Sequence, residues 1–372
     1  MTKKSDAPAI RFKGFSDAWE QRKAKEICSI GTGKSNTQDQ VDDGKYPFYI
    51  RSDVPVRSNK YLYDCEAVIT IGDGNIGKVF HYVNGKFDLH QRCYKMTDFK
   101  DIWGKYFFYY FSTKFYDRAM KMTAKATVDS VRLEMISEMD IKKPPQISEQ
   151  KQIAEFFANL DNLITLHQRK FEKLTNVKKS MLEKMFPQNG SSYPEIRFKG
   201  FTDPWEQRKL GDIASDMVAG GDIDKDLILA EGQYPVIANA LTGDGIVGYY
   251  DKEYRVNAPA VTVTGRGDVG HAKARLVNFT PVVRLLSVKS EHDVFFLENA
   301  INTLKIVIES TGVPQLTVPQ LAKYEVAFPR QLDEEEHIGA FFKQLDHLIT
   351  LHQRELEKLQ NIKKSMLEKM FV

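Results

Sequence analysis

Glycine-rich turns and basic side chains are the residues of this sequence that could do chemistry. Gly33, Lys34 and Ser35 resemble the end of a phosphate-binding loop, in which backbone amides and a lysine hold phosphate groups. The first glycine of that loop would fall at Cys28, so the motif is incomplete. The HExxH, paired CxxC and GxSxG patterns of metalloenzymes and hydrolases are absent as well. These motifs therefore predict neither a catalytic residue nor a metal site.

A second glycine-rich run, GDGNIG at residues 72–77, comes close to the spacing of a dinucleotide-binding loop. It lies between two strand-like runs, whereas a dinucleotide-binding loop joins a strand to a helix. We therefore interpret it as the turn of a β-hairpin. The run VTVTGRGDVGHAKA at residues 261–274 has the same order of β run, glycine turn and basic residues, so the hairpin is predicted twice.

Basic residues follow both turns and make the hairpins candidate DNA-contacting elements, because glycine lets a backbone approach a ligand closely. Arg266 lies at the tip of the second turn, where we expect it to read a guanine, and we expect Lys273 to contact a phosphate. Period-two alternation places His271, Lys273 and Arg275 on one strand face, although a solvated strand face would show the same pattern. The candidate DNA-contacting residues of both copies are Arg51, Lys78, His81, Arg92, Lys95, Asn239, Arg266, His271, Lys273 and Arg275.

The elements that must position these residues are duplicated along the chain. Residues 10–27 read IRFKGFSDAWEQRKAKEI, and residues 196–213 read IRFKGFTDPWEQRKLGDI; we call these the lead segments. Residues 153–186 and 338–371 share the words LITLHQR and KKSMLEKMF. Both pairs are offset by nearly the same number of residues, while most of the intervening sequence differs. The chain is therefore a tandem duplication of one large unit rather than a short-period repeat protein.

The second shared segment is strongly helical, because Leu, Glu, Lys, Gln and Met dominate it and no glycine or proline interrupts residues 146–186. Its apolar residues recur at steps of three or four, as in a coiled coil. We expect the two copies to pair with each other. A histidine occupies the same position in each stripe; it either fixes the register or provides a metal or pH-sensitive site. The predicted helix-pairing residues are Leu160, Ile164, His167, Leu174, Leu345, Ile349, His352 and Leu359.

The variable stretches between the shared segments contain short β-type runs, such as YPFYI and AVITIG in the first copy and YPVIA and AVTVTG in the second. A helical piece follows these runs in each copy, WGKYFFYYFSTKF and FFLENAINTLKIVIES. The predicted fold class is α+β, or mixed α/β, with two globular domains, two long antiparallel helices and a pseudo-twofold repeat. The predicted boundaries are 1–147 for the first domain, 148–187 for the central helix, 188–332 for the second domain and 333–372 for the C-terminal helix.

Composition narrows the class of protein without naming a partner. The 372 residues carry a formal net charge of +3, which is too small to prove binding to nucleic acid. An odd number of cysteines, three, suits a reducing cytoplasm better than a disulfide framework. The start MTKKSDAPAI lacks the apolar core of a signal peptide, and no apolar run is long enough to span a membrane. We therefore expect a cytoplasmic protein with no membrane partner.

The duplicated lead segment and the helix LDxLITLHQRxxEKLxxxKKSMLEKMF are similar to those of specificity subunits of type I restriction–modification systems. The resemblance covers essentially the whole chain. Two further phrases match, the proline-containing exits of the variable stretches at 142–157 and 327–342 and the run STGVPQLTVPQLAKYEV at 310–326. The first copy departs from the pattern at 125–141, which lacks the Val-Pro-x-Leu phrase.

The resemblance implies that each variable stretch is a target recognition domain reading one half of a split site on double-stranded DNA. It implies that the helices pair antiparallel and act as a ruler between the domains. Two modification subunits would dock on this chain and methylate adenine using S-adenosylmethionine, and two restriction subunits using ATP and Mg²⁺ can join them. This chain would bind no cofactor itself. A duplicated scaffold suits two identical partners, and two different domains suit an asymmetric target.

Two other classes of function remain open from the residues alone. The first is an enzyme acting by itself, a nuclease or methyltransferase, which purified chain without partners would reveal by its activity. The second is a coiled-coil adaptor that binds only proteins, which sequence-dependent retention of DNA by its complex would exclude.

Overall fold

The protein is described by a computed structural model over residues 8–123, 130–307 and 315–371. The first seven residues and parts of the phrases at 125–141 and 310–326 therefore lie outside the described residues. The chain divides into two compact units. Unit 1 holds the described residues up to His167 together with those from Glu355 onward, and unit 2 is Gln168–Arg354. The division predicted from the sequence has four parts, two domains and two long helices, with its boundaries at the ends of the predicted helices. It stays a prediction.

Domain 1, the described part of unit 1 that precedes the first long helix, is built on a six-stranded sheet with a two-stranded sheet beside it. Its helices are α1 (Ala24–Ile27), α2 (Gly104–Thr123) and α3 (Leu133–Ser137), and Thr37–Asp39 forms a 3₁₀ turn. Its strands are β1 (Glu20–Lys23), β2 (Ser29–Thr32), β3 (Tyr46–Tyr49), β4 (Val56–Ser58), β5 (Tyr63–Ile71), β6 (Phe80–Leu89), β7 (Cys93–Thr97) and β8 (Asp140–Lys143).

The six strands lie in the order β2-β7-β5-β6-β3-β4, and β1 pairs with β8. Residues 67–71 of β5 are buried on both faces, which explains the run AVITI, where the one polar side chain, Thr70, donates to the Val79 carbonyl at 3.0 Å. Val68 faces the cluster that includes Phe107, Phe111 and Phe115 of α2, and Ile69 faces a second cluster. The three phenylalanines recur at steps of four, so α2 presents one aromatic stripe to the sheet. Strands β5 and β6 form the hairpin that the GDGNIG run predicted.

Domain 2, which lies between the two long helices in the sequence, has the same plan with a divided sheet. Its helices are α5 (Leu210–Ile213), α6 (Val294–Asn302) and α7 (Val318–Leu321), with 3₁₀ turns at Lys225–Leu227 and Thr242–Gly245. Its strands are β9 (Glu206–Lys209), β10 (Ala214–Ala219), β11 (Tyr234–Ile237), β12 (Ile246–Tyr250), β13 (Ala260–Thr264), β14 (Ala272–Arg275), β15 (Thr280–Pro281), β16 (Leu285–Ser290) and β17 (Glu325–Phe328).

The sheet of domain 2 is divided because one strand of domain 1 corresponds to two strands here. In domain 1 the ten residues of β6 pair with both β5 and β3. In domain 2 strand β14 ends at Arg275 and β15 begins at Thr280, so β14 pairs with β13 while β15 pairs with β11. The result is the two orders β10-β16-β13-β14 and β12-β11-β15, and β17 pairs with β9. The hairpin predicted at 261–274 is present as β13 and β14.

Two long helices complete the fold, α4 (Ile147–Met185) and α8 (Leu332–Met370), and both confirm the sequence prediction. Within unit 1 the Phe157 ring stacks on Phe371 at 5.5 Å, and the Asp161 carboxylate pairs with the Lys363 ammonium at 2.5 Å. Residue numbers rise along one segment and fall along the other, so the helix segments are antiparallel.

Within unit 2 the same contacts recur with the roles of the two helices exchanged. Lys178 of α4 pairs with Asp346 of α8 at 2.6 Å, and the rings of Phe186 and Phe342 lie 6.0 Å apart. Each of the two repeats therefore contributes one of the two helix segments that pair in each unit, as the shared apolar stripe predicted.

A buried ion pair ties each lead segment to the start of a long helix. Arg11 donates from Nε and Nη2 to the Glu149 carboxylate at 2.6 and 2.8 Å. Arg197 makes the same two bonds to Glu334 at the same distances. Both glutamates are only 1% exposed, so each guanidinium is the charge that makes burial of its carboxylate tolerable.

The helical pieces predicted in the two domains differ in length from their outlines in the sequence. Helix α2 continues past the predicted end at 115 to Thr123. Helix α6 ends at Asn302, whereas the prediction extended it to 310, of which 308–310 lie outside the described residues. At this end the Thr303 hydroxyl donates to the Ala300 carbonyl at 2.7 Å and caps the last turn, while the Asn302 side chain bonds both the N–H and the carbonyl of Ala272 on β14.

Candidate nucleic-acid interface

Three loops of domain 1 meet at one end of the sheet and form a charged cluster. Arg51 follows β3, Asp73 lies in the β5–β6 turn, and Arg92 lies in the turn before β7. The Asp73 carboxylate accepts from Arg51 Nη1 at 3.1 Å and from Arg92 Nη1 at 2.7 Å. The arginine side chains are 44% and 62% exposed, and Asp73 is 21% exposed. One carboxylate therefore holds two accessible guanidinium groups side by side.

The backbone of these loops is fixed. The Gly72 N–H donates to the Arg92 carbonyl at 2.8 Å, and a side chain on Gly72 would meet that oxygen. Burial opposes ionisation of Asp73, but the hydrogen bonds from Arg92 and Arg51 outweigh it and lower the pKa of this carboxyl. Asp73 is therefore charged at neutral pH and keeps both arginines in place.

Domain 2 has the same three loops with different residues. The strand motifs YPFYIR and YPVIAN align Arg51 with Asn239, and the glycine turns align Asp73 with Arg266. The turn before β16 carries Arg284, whose φ of 72° lies in the left-handed region. The Asn239 side chain accepts from the Gly265 N–H at 2.9 Å and donates to the Val283 carbonyl at 3.0 Å. In domain 2 the Asn239 side-chain amide therefore joins the loops that are joined in domain 1 by the ion pairs of Asp73.

Asp73 and Arg284 were not among the predicted site residues. The sequence contains a usable signal for Arg284, because VVRLL precedes its strand as HQRCY precedes β7 in the first copy. No local pattern marks Asp73, since its partners lie 22 and 19 residues away in the chain.

The remaining predicted residues of domain 1 lie near this end of the sheet and contact aromatic rings or backbone. Lys78 is exposed, with its ammonium 5.6 Å from the ring centre of Tyr116. Lys95 lies 4.7 Å from the ring centre of Tyr63. His81 Nε2 is 3.1 Å from the carbonyl of Ser52, and burial lowers the pKa of this imidazole. Contact of these residues with DNA stays a prediction.

The basic residues of β14 are engaged within unit 2. Lys273 forms an ion pair with Asp244, and Arg275 Nε donates to Thr262 Oγ1 at 3.0 Å. His271 is exposed just before the strand, as is Arg266 at the hairpin tip. Their role as DNA contacts stays a prediction, and the Asp244 carboxylate already accepts from the Lys273 ammonium, which has three N–H donors.

Glu298 of α6 lies close to this basic strand and was not predicted from the sequence. Burial raises the pKa of Glu298 to about 7, although the charges of Lys178 and Lys273 oppose the shift. The neighbouring Asp346 carboxylate adds to the shift, and a hydrogen bond with the Ala274 backbone opposes it. This carboxyl group therefore titrates close to neutral pH inside unit 2.

The predicted helix-pairing residues occupy the buried or half-buried side of the long helices. Leu160 and Leu345 are each 8% exposed and belong to the cores of units 1 and 2. The six others are partly buried: Ile164, His167, Leu174, Ile349, His352 and Leu359. His167 and His352 both have interaction partners, and the described residues hold no group of three or more side chains suited to binding a metal ion.

Cysteine chemistry is suppressed by burial in domain 1. Cys28 and Cys93 are buried, and burial raises the pKa of each thiol to about 12. Cys65 is half-buried, and burial raises its pKa as well.

Over the described residues, none of the helices is both long and apolar enough to cross a membrane.

A sequence model of the type I restriction modification DNA specificity domain matches residues 16–176 and 202–361, one match per repeat. The chain belongs to this family of type I specificity subunits. Members of this class recognise DNA and are the non-catalytic subunits of their systems. The sequence-based expectation of a non-catalytic specificity subunit is therefore confirmed.

Relatives and solved structures agree with this assignment. A putative type I specificity subunit of Mycoplasma pneumoniae is 27% identical over 331 residues, which cover 86% of both chains. A type I specificity subunit of Methanocaldococcus jannaschii is 22% identical and covers 94% of this chain and 91% of its own. The crystal structure of the S subunit from M. genitalium superposes with a TM-score of 0.78 at 15% identity, covering 98% of this chain and 99% of that one. The mixed fold with an internal repeat and long helices is thereby confirmed.

Proposed function

We propose that this chain reads a bipartite, asymmetric DNA sequence, with domain 1 contacting one half-site and domain 2 the other. The observation that carries the proposal is the pair of equivalent loop clusters, Arg51–Asp73–Arg92 and Asn239–Arg266–Arg284, which share a backbone frame but differ in chemistry. Two domains that recognise unrelated half-sites need similar loop backbones that carry different side chains. Arginines supply both phosphate contacts and guanine readout.

The helices α4 and α8 are proposed to set the spacing between the half-sites. Their pairing rests on the apolar clusters that include Leu160 in unit 1 and Leu345 in unit 2, and the ion pairs Asp161–Lys363 and Lys178–Asp346 add to it. Readers joined by a rigid spacer gain affinity from high effective concentration, and they also select sites of one spacing. Half-sites on one face of the duplex would lie about one helical turn apart, roughly 10 bp.

Two modification subunits are proposed to dock on the exposed faces of these helices. Leu163 and Leu166 of unit 1 are 43% and 46% exposed, and their repeats Leu348 and Leu351 of unit 2 are 40% and 44% exposed. All four leucines of the two LITL phrases are therefore exposed to solvent. Exposed apolar patches of this kind mark surfaces that bind a partner protein. Duplication of the patch supports two copies of one partner.

The cofactors belong to those partners in this proposal. S-adenosylmethionine would bind the modification subunits and donate the methyl group to adenine, while ATP and Mg²⁺ would bind restriction subunits when these join. Purified chain should transfer no labelled methyl group to DNA until the modification subunit is added. Methyl transfer by the chain alone would contradict the assignment of cofactors.

The docking proposal is tested by replacing both leucines of one patch with serine. We expect Leu163→Ser with Leu166→Ser to leave one modification subunit bound instead of two in native mass spectrometry, because the second patch is intact. Leu133→Ser is a matched control, since Leu133 is 52% exposed on α3. Full occupancy by two subunits in the double variant would contradict the docking face.

The DNA face of domain 2 is tested by Arg266→Ala and Lys273→Ala in the complex with the modification subunit, using cognate and scrambled duplexes at two salt concentrations. Loss of a base-reading Arg266 should weaken cognate binding alone. Loss of a phosphate-binding Lys273 should weaken binding to both duplexes and reduce the salt slope by about one unit. An unchanged slope would assign Lys273 to its internal ion pair with Asp244.

A further inference from the structure

We propose that Asp73 is a positioning residue that orients Arg51 and Arg92 to read a guanine in one half-site, and that Arg266 and Arg284 read the other half-site from the equivalent loops. The inference rests on the proposed function and deepens it, because it names the specificity-determining positions. Arg284 is marked in the sequence by the phrase VVRLL, which matches HQRCY of the first copy, whereas no local pattern marks Asp73.

The geometry in domain 1 leaves each arginine partly free. Asp73 engages Nη1 of Arg51 and Nη1 of Arg92. A guanidinium has five N–H donors in a fixed plane, so the other edge of Arg92 remains able to make two parallel hydrogen bonds. Holding the plane before DNA arrives reduces the side-chain ordering that binding would otherwise require.

The loop backbones support the same alignment in both domains. In domain 1 the Val131 N–H donates to the Gly72 carbonyl at 2.7 Å, and in domain 2 the Leu316 N–H donates to the Gly265 carbonyl at 2.9 Å. Isolated bridges join Asp73 to Ser130 and Arg266 to Gln315. The turn residues Asp73 and Arg266 therefore occupy one structural position, although their charges are opposite.

Domain 2 solves the positioning problem with an amide. Both ends of the Asn239 side chain are bonded to the backbone of neighbouring loops, at Gly265 and Val283. Asn239 is therefore a positioning residue, like Asp73, rather than a base reader. Arg266 is exposed at the tip and Arg284 is half-buried, which leaves these two side chains as the readers.

The target chemistry follows from the arginines. Two parallel N–H donors match the O6 and N7 acceptors of guanine in the major groove, and such a pair discriminates against other bases by about 5- to 150-fold. We therefore expect each half-site to contain at least one guanine that recognition requires.

The test maps methylated adenines in the genome of a host that expresses the chain with its modification subunit. Asp73→Asn removes the charge at nearly constant shape and should relax one position of one half-site while leaving the other half-site unchanged. Arg92→Lys keeps the charge but loses the parallel bonds, so it should relax the same half-site. Asp64→Asn is the control, because Asp64 is exposed near the far end of β5, about 23 Å along the strand from Ile71, the last residue before the turn that holds Asp73.

The outcomes separate this inference from the proposed function. A wild-type complex that yields no two-part motif would contradict the proposed function itself. A two-part wild-type motif that both variants reproduce unchanged would overturn the inference alone, as would relaxation spread over both half-sites. If Asp73→Asn abolishes all methylation, the methylation motif of the Arg92→Lys variant decides instead. A motif relaxed in one half-site supports the inference, and an unchanged motif overturns it.

Discussion

Loss of one arginine from a lead segment should destabilise unit 1 far more than its position near the chain start suggests. Arg11 is 14% exposed and binds, through two bonds of 2.6 and 2.8 Å, a Glu149 carboxylate that is 1% exposed. Arg11→Met leaves that carboxylate buried without its partner. Breaking a buried pair in this way costs about 3–5 kcal/mol, which is two to four orders of magnitude in the folding equilibrium.

The matched variants separate the buried charge from simple loss of contact. Arg11→Met combined with Glu149→Leu removes both charges and should recover most of the lost stability, because apolar groups replace a buried pair at little net cost. Arg22→Met is the exposed control; its guanidinium lies 3.7 Å from the Glu20 carboxylate with 55% of the side chain accessible, so the change should stay within about 1 kcal/mol.

Urea unfolding followed by tryptophan fluorescence and by circular dichroism provides the measurement. The two units need not unfold together, so the free energy is taken from the transition that Trp19 and Trp103 report in unit 1. A loss below 1 kcal/mol for Arg11→Met, or no recovery in the double variant, would refute the assignment of Arg11 as the charge that balances Glu149.

Leu160→Ala should cost about 2–5 kcal/mol of unfolding free energy in urea, whereas Leu163→Ala, at 43% exposure, should change it by less than about 0.5 kcal/mol. Glu298 has a folded-state pKa of about 7, above its value of 4.5 in the unfolded chain, so the folded state binds more protons between these values. Stability should therefore fall by up to about 1.4 kcal/mol per pH unit as pH rises through that window, and Glu298→Gln should flatten the profile measured by urea unfolding. Iodoacetamide at neutral pH should label Cys65 before Cys93, because the Cys93 thiol is buried with a pKa of about 12, and mass spectrometry of peptides reads the order.

The sequence predicted those features whose signal is local or repeated. The stripe through Leu160 and Leu345 has the helical period in both copies, and pairing of the copies follows from that repetition. The hairpins were predicted because a glycine turn between two β runs has few other solutions.

Contacts that join distant parts of the chain could not be predicted in this way. Arg11 and Glu149 are separated by 138 residues, and nothing near either residue in the sequence reveals the pair. Asp73 gains its role only when three loops converge, and Glu298 gains its raised pKa only when α6 packs beside β14 and the long helices. The division of the second sheet likewise depends on where β14 stops, which tertiary packing decides.

The central claim, that this chain reads a two-part asymmetric DNA site for a modification partner, is tested most directly by sequencing methylated adenines in a host genome with and without the chain. The account predicts a motif that appears only when chain and modification subunit are expressed together, with two unlike half-sites at a fixed spacing. Methylation that needs no chain, or a motif that is continuous or palindromic, would contradict it.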